Sequence, residues 1–194
     1  GKMNKLADDN SNPSITDPNT LVRFIDYCKS NFPANRYQLI FWDHGGGSVT
    51  GYGYDEKNPN SGSMNLAKIK AAIAQTGIKY DFIGFDACLM ATTETALALS
   101  DYADYLIASE ETEPGTGWYY TNWLSNLSSN TAISTLDLGK KIVDDFIDES
   151  SRSARGQSTT LSLVDLAELK ATVPSSLSSF ARDTASYIEN NEYS

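Results

Sequence analysis

Two short apolar runs, each ending in a reactive side chain, limit the folds open to this chain more than any other feature. Residues 38–43 (QLIFWD) and 80–87 (YDFIGFDA) are bounded by turn-forming residues and rich in Phe, Ile and Trp. Runs of this length suit strands buried on both faces of a sheet. The first leads directly into His44-Gly45-Gly46-Gly47, and the second ends at Cys88. Between them lie a loop rich in Gly, Asn, Ser and Tyr and then a helix with Leu66, Ile69 and Ile73 on one face and Gly77 as its stop. A strand, a crossover helix and a second strand imply parallel pairing, because a hairpin turn cannot join parallel neighbours.

The remaining pattern extends the same alternation. An Asp17-Pro18-Asn19-Thr20 cap precedes Leu21, Phe24, Ile25 and Cys28 at helical spacing, with Pro33 marking the end. A helix over about 90–100, a strand over 105–109, and a helix over 134–149 follow. That last helix is capped by Ser134 and Asp137 and carries Leu138, Ile142, Phe146 and Ile147 inward. The polar break SSRSARGQS then separates it from a strand over 159–164 and a terminal helical region interrupted at Pro174. The expected class is α/β, a three-layer α/β/α sandwich with a mainly parallel sheet. Residues 1–16 are polar and aperiodic and read as an arm or loop, leaving 17–194 as a single domain.

Composition excludes several functions. No apolar stretch approaches the roughly 18 residues of a membrane-spanning helix. A net charge of −10 argues against nucleic acid as a partner and suits cationic peptides. The chain has one histidine, so a His-rich zinc site is excluded and any imidazole chemistry belongs to His44. Of the two cysteines, Cys28 falls on a helical apolar stripe and reads as a small buried hydrophobe.

In an open parallel sheet, reactive groups collect beyond the carboxyl ends of the strands. His44 and Cys88 both lie there, and a thiol facing an imidazole forms a nucleophile and its base. A helix starting just after Cys88 would favour the thiolate further. Taken alone, Cys88 in FDACLM reads more readily as a buried structural thiol. The three glycines after His44 tip the balance, since bare backbone can approach a substrate and offer N–H groups to an oxyanion.

Three segments, LIFWDHGGG (39–47), IGFDACLMATTETA (83–96) and ASEETEPGTGWYY (108–120), together resemble the clostripain-like cysteine peptidases, relatives of caspases, legumains and gingipains. The resemblance runs from about residue 17 to 164. It implies a caspase-like fold, a catalytic dyad of Cys88 and His44, an oxyanion hole from the amides of Gly45 and Cys88, and cleavage after Arg or Lys. The acidic residue two before the nucleophile, here Asp86, then lies in the pocket for the basic side chain. A buried carboxylate there would select a cation. Glu113, Thr116 and Trp118 are the further expected pocket residues. Asp43 is a weaker candidate for orienting His44, since neighbouring strand residues point to opposite faces.

The resemblance carries further expectations. A bacterial, secreted or envelope-associated enzyme is implied, with peptides or proteins bearing basic residues as substrates. Self-processing is expected at an exposed basic residue: Lys57 first, then Arg152 or Arg155. Relatives begin with a strand and helix ahead of the region matched here. A separate amino-terminal fragment of the same precursor is therefore an expected partner. No cofactor is required; calcium enters by resemblance only, as no aspartate-rich loop of the required regularity is present. The alternatives are a catalytically lapsed binding module and a transpeptidase on the same scaffold.

Overall fold

The strand that ends in Asp86 is the most buried element of the sheet. In the computed structural model, which describes residues 4–8 and 11–189, β1 (Gln38–Trp42) and β3 (Ala103–Ala108) flank β2 (Tyr80–Asp86) and both run parallel to it. A short β4 (Ser162–Asp165) joins β3 antiparallel, giving the order β1-β2-β3-β4. Every residue of β2 except Asp81 is buried, which accounts for its continuous apolar run. Its alternation still matters: Ile83 and Phe85 enter one core, and Phe82 enters the other.

The first core holds Ile25, Ile69, Ile73, Leu99 and Leu166, from α1 (Pro18–Asn31), α3 (Leu66–Thr76), α4 (Thr93–Leu99) and α7 (Leu166–Glu189). The second holds Trp123 from α5 (Tyr120–Ser129) and Leu138, Ile142 and Phe146 from α6 (Thr135–Ser153). Helices on both faces of a mainly parallel sheet make the three-layer sandwich expected from the alternation of runs. Local signals set the helix starts. The side chains of Asp17, Asn65, Thr92 and Ser134 accept from the backbone amides of Asn19, Lys68, Thr95 and Asp137. Gly77, in the left-handed conformation, ends α3.

Several expectations needed correction. β1 is buried on one face only: Leu39 and Phe41 are inside, but Trp42 is 74% exposed. It lies at the sheet edge among the described residues, and its last outward side chain opens into a cavity. Phe24 and Ile147, placed inward by helical spacing, are exposed, while Val22 is buried in α1 instead. Helix α6 continues to Ser153, so the first four residues of SSRSARGQS are helical. Helix α7 likewise runs through Pro174; one missing amide removes a single backbone bond, and the turns on either side hold the helix together.

The segments leading to and from β1 are more ordered than a loop reading implies. After β1 come a single turn α2 (Gly47–Thr50), bridges pairing Tyr52 with both Gly45 and Met64, and a 3-10 turn at Pro59–Ser61. The polar segment before α1 packs on this loop. The Ile15 amide donates to Asp55, and the hydroxyls of Ser14 and Thr16 each bond Ser61 at 2.9 Å. Among the described residues no helix is long and apolar enough to cross a membrane.

Candidate active site

The parallel register fixes the site. Trp42, the last residue of β1, pairs with Asp86, the last of β2, so His44 and Cys88 each follow by two residues at the ends of adjacent strands. The two backbones then touch. An ideal Cβ on Gly45 would lie 2.1 Å from the Cys88 carbonyl oxygen, so only glycine permits this approach. His44 is exposed, Cys88 is half-buried, and both line one cavity of about 750 Å3 at the carboxyl edge of the sheet.

Each loop is held by its own hydrogen bonds. Gly46 donates to the Gly51 carbonyl and Gly53 to the His44 carbonyl, at 2.9 and 2.8 Å. That pattern makes Gly45 and Tyr52 a pair without mutual bonds and turns the Gly45 amide away from Tyr52. Leu89, the residue after Cys88, has a positive φ of 64°, which folds the chain sharply beyond β2. The turn pairs with the segment after β3: Leu89 donates to Glu111 and Ala91 to Ser109. This brings the Glu113 amide onto the Cys88 sulfur at 3.2 Å. Helix α4 starts only at Thr93, so this amide, rather than a helix end directly after Cys88, is the fixed dipole at the sulfur.

Beside the thiol is a pocket with an acidic floor. Asp86 is 4% exposed; its carboxylate accepts from the Trp118 amide at 3.1 Å and from the Tyr120 hydroxyl at 2.9 Å. Gly117, at a φ of 63°, lets the chain pass over that carboxylate, since a Cβ there would sit 2.9 Å from its oxygen. Both Glu113 carboxyl oxygens are buried and no hydrogen bond is formed to either. Burial first, and the Asp86 charge second, push the Glu113 carboxyl up to about 9; the Trp118 indole and the Ala87 amide oppose this more weakly. Burial also raises Asp86, against the pull of its two donors. The two acids face one another in a desolvated pocket, and of the two Asp86 is the one that accepts hydrogen bonds.

The expected residues thus separate. His44, Gly45, Cys88, Asp86 and Glu113 converge. Thr116 is exposed in a turn outside the cavity wall, where Gly115 and Gly117 stand instead. Trp118 is buried with its ring against Gly84 and contributes its amide to Asp86. Asp43 does not orient the imidazole: its carboxylate accepts from the backbone amides of His44 and Tyr54. Of the acidic run, Glu110 and Glu111 are exposed and only Glu113 reaches the pocket. Sequence reasoning missed Tyr120 as an Asp86 donor, although it closes the motif GTGWYY. It also missed Pro13, Ile15 and Tyr54, which line the cavity.

The candidate processing residues separate as well. Lys57 is exposed in a turn that lines the same cavity. Arg152 lies in the last turn of α6, paired with Asp148 and Glu149, and Arg155 is in the exposed turn beyond. Both cysteines are free thiols, and Cys28 is half-buried rather than fully enclosed. Among the described residues no group of three or more His, Cys, Asp or Glu side chains is arranged to hold a metal ion.

Comparison with known proteins gives the same picture. The chain is 32% identical to clostripain of Hathewaya histolytica over 61% of its own length and 28% of the relative's. A secreted C11 cysteine protease from Bacteroides thetaiotaomicron, solved with an irreversible peptide inhibitor, superposes with a TM-score of 0.68 at 26% identity, covering 80% of this chain and 47% of that one. An inactive zymogen C11 protease from Parabacteroides distasonis gives a TM-score of 0.67 at 25% identity, covering 86% and 44%. The chain thus spans less than half the length of these solved relatives. Matched over residues 4–193 by the family's model, and sharing its caspase-like fold, the chain belongs to the clostripain family.

Proposed function

We propose that this chain acts as a cysteine endopeptidase that cleaves peptide bonds after Arg or Lys. The observation that carries the reading is one cavity lined by Cys88, His44 and the two buried acids Asp86 and Glu113. A substrate's basic side chain enters the acidic pocket, where a cation is the group that satisfies unpaired buried carboxylate oxygens. That places the following carbonyl beside the sulfur.

His44 takes the thiol proton, and the thiolate attacks the carbonyl carbon. The Glu113 amide, 3.2 Å from the sulfur, favours the thiolate. The carbonyl electron pair moves onto oxygen, where the amides of Gly45 and Cys88 receive the charge. Collapse breaks the C–N bond, the leaving amine takes the proton from His44, and a thioester remains on Cys88. Water, deprotonated by His44, attacks the thioester; the sulfur leaves, recovers its proton, and the carboxylic acid product departs.

The same specificity supports self-processing at Lys57, whose turn already borders the cavity. Arg152 is held in a helix and Arg155 lies outside the cavity wall, so both are weaker candidates. Secretion is proposed from the solved relative described as secreted. A separate fragment of the same precursor is proposed as a partner from the family's longer chains.

The test is hydrolysis of short fluorogenic peptides ending in Arg, Lys, Asn or Asp, with Cys88→Ala as control. Cleavage after Arg and Lys that disappears in Cys88→Ala is expected. Cleavage after Asn or Asp alone would overturn the pocket reading, and activity surviving in Cys88→Ala would overturn the mechanism. Folded protein that binds Arg peptides without turnover would mark a lapsed binding module.

A further inference from the structure

The mechanism leaves one feature unused: a carboxyl group with both oxygens buried and unbonded, beside a second acid, on the floor of the specificity pocket. An ionised carboxylate buried without hydrogen bonds is strongly disfavoured, and groups in that position shed their charge instead. Asp86 has donors, from the Trp118 amide and the Tyr120 hydroxyl, and Glu113 has none bonded to it. We propose that Glu113 carries a proton in the empty pocket and surrenders it when a basic side chain enters, so that the pocket exchanges a proton for the substrate's cation.

The proposal rests on the basic-residue reading of the site and deepens it. On binding, the Glu113 O–H bond breaks, the proton passes to solvent, and the incoming ammonium or guanidinium donates to the oxygens left behind. A guanidinium, with five donors in a fixed fork, can bond both acids at once. A neutral side chain of similar shape cannot offset the second negative charge, so it leaves the proton in place. The exchange thus adds discrimination against neutral residues beyond what one carboxylate provides.

The surroundings agree. Glu113 faces Asp86 at the end of β2, the Ala87 amide and Cys88 in the following turn, and the Trp118 indole and Tyr120 hydroxyl from the segment before α5. From the loop after β1, His44, Asp43, Asp55, Glu56 and Lys57 line the same cavity. Of these, the exposed His44 is the proposed proton acceptor of the reaction. The test must therefore distinguish its proton from that of Glu113.

Binding is measured by calorimetry with Cys88→Ala, which cannot turn over, at pH 7 in two buffers of different ionisation enthalpy. The ligand is a short peptide ending in Arg, and its citrulline counterpart serves as a neutral isostere. Release of about one proton per Arg peptide is expected, with none for citrulline, and affinity for Arg should rise about tenfold per pH unit while the exchange is complete. Adding Glu113→Gln should abolish the release and flatten the pH dependence. Arg peptides that bind with no proton released would overturn the exchange and leave the basic-residue reading standing. Equal release with citrulline would assign the proton to another group and overturn it too. Failure of the Arg peptide, and of a Lys peptide tested beside it, to bind would remove the basic-residue reading itself, and the exchange with it.

Discussion

Gly45 and Cys88 are in backbone contact, with the site of a Gly45 Cβ only 2.1 Å from the Cys88 carbonyl oxygen. This approach sets the spacing between the residues after β1 and those after β2, and so between His44 and Cys88. The partner atom is main chain and cannot swing aside. Gly45→Ala must therefore push the two turns apart. We expect loss of about 1–3 kcal/mol of stability, the scale of overpacking, and loss of turnover far larger than that, since small misplacements at a reacting centre are costly. Thermal melting and peptide hydrolysis, measured together, separate the two effects. An active Gly45→Ala enzyme would show that the contact is not needed.

Asp86 has two roles, and its replacement should reveal both. In Asp86→Asn the charge is lost while one oxygen remains for the Trp118 amide and the Tyr120 hydroxyl. Cleavage after Arg or Lys should weaken by about 1–3 kcal/mol in kcat/KM, the scale for a charged group deprived of its partner. Steady-state kinetics with Arg, Lys and Gln peptides check this. An equal loss for all three would mean that Asp86 supports the fold of the pocket without selecting the side chain.

Glu113 should cost the empty protein stability. Its carboxyl is raised to about 9 in the fold, against an ordinary value near 4 in the unfolded chain. A carboxyl raised in this way leaves the fold unpenalised below pH ~4, and the penalty grows as pH rises toward 9. Glu113→Gln should accordingly melt higher than the parent, with a gain that increases between pH 5 and 9, while capture of basic peptides weakens. Melting curves across that range decide it, and a pH-independent difference would argue against the raised value.

Asp55 ties the segment before α1 to the loop that holds Lys57. The Ile15 amide first, then the Asn58 side chain, hold its carboxylate at about 2. Because that value is depressed, the tie is intact above pH ~4 and is lost as pH falls through about 2. Hydrogen exchange at the Ile15 amide should report the loosening. Asp55→Ala should release the loop at neutral pH and quicken proteolysis at Lys57; an unchanged cleavage rate would show that the loop is held by other contacts.

The sheet and the placement of His44 and Cys88 were legible because their signals are local. A buried strand needs apolar residues at consecutive positions, and the exit from a parallel strand is where loops gather, so QLIFWD leading to His44 and YDFIGFDA leading to Cys88 mark two strands and put both side chains at one sheet edge. Helix caps at Asp17, Asn65, Thr92 and Ser134 are short-range too, as each bonds an amide two or three residues ahead.

The pocket was less legible. In the acidic run, Glu110, Glu111 and Glu113 look alike. Only the pairing of Leu89 with Glu111 and Ala91 with Ser109 decides which one turns inward. Trp118 and Thr116 could not be sorted for the same reason: the left-handed turn at Gly117 sends the indole into the second core and leaves the threonine outside. Asp43 and the 11–16 segment depended on contacts with residues 11 to 47 positions away.

By itself, then, the sequence determined the layers and the approximate strand ends, and with them the placement of His44 and Cys88 at one edge of the sheet, because these follow from periodicity and from single residues. Tertiary structure decided which acids share the pocket, which of them lacks a donor and which backbone amide meets the sulfur. Those depend on how distant segments desolvate one another, and no local pattern encodes that.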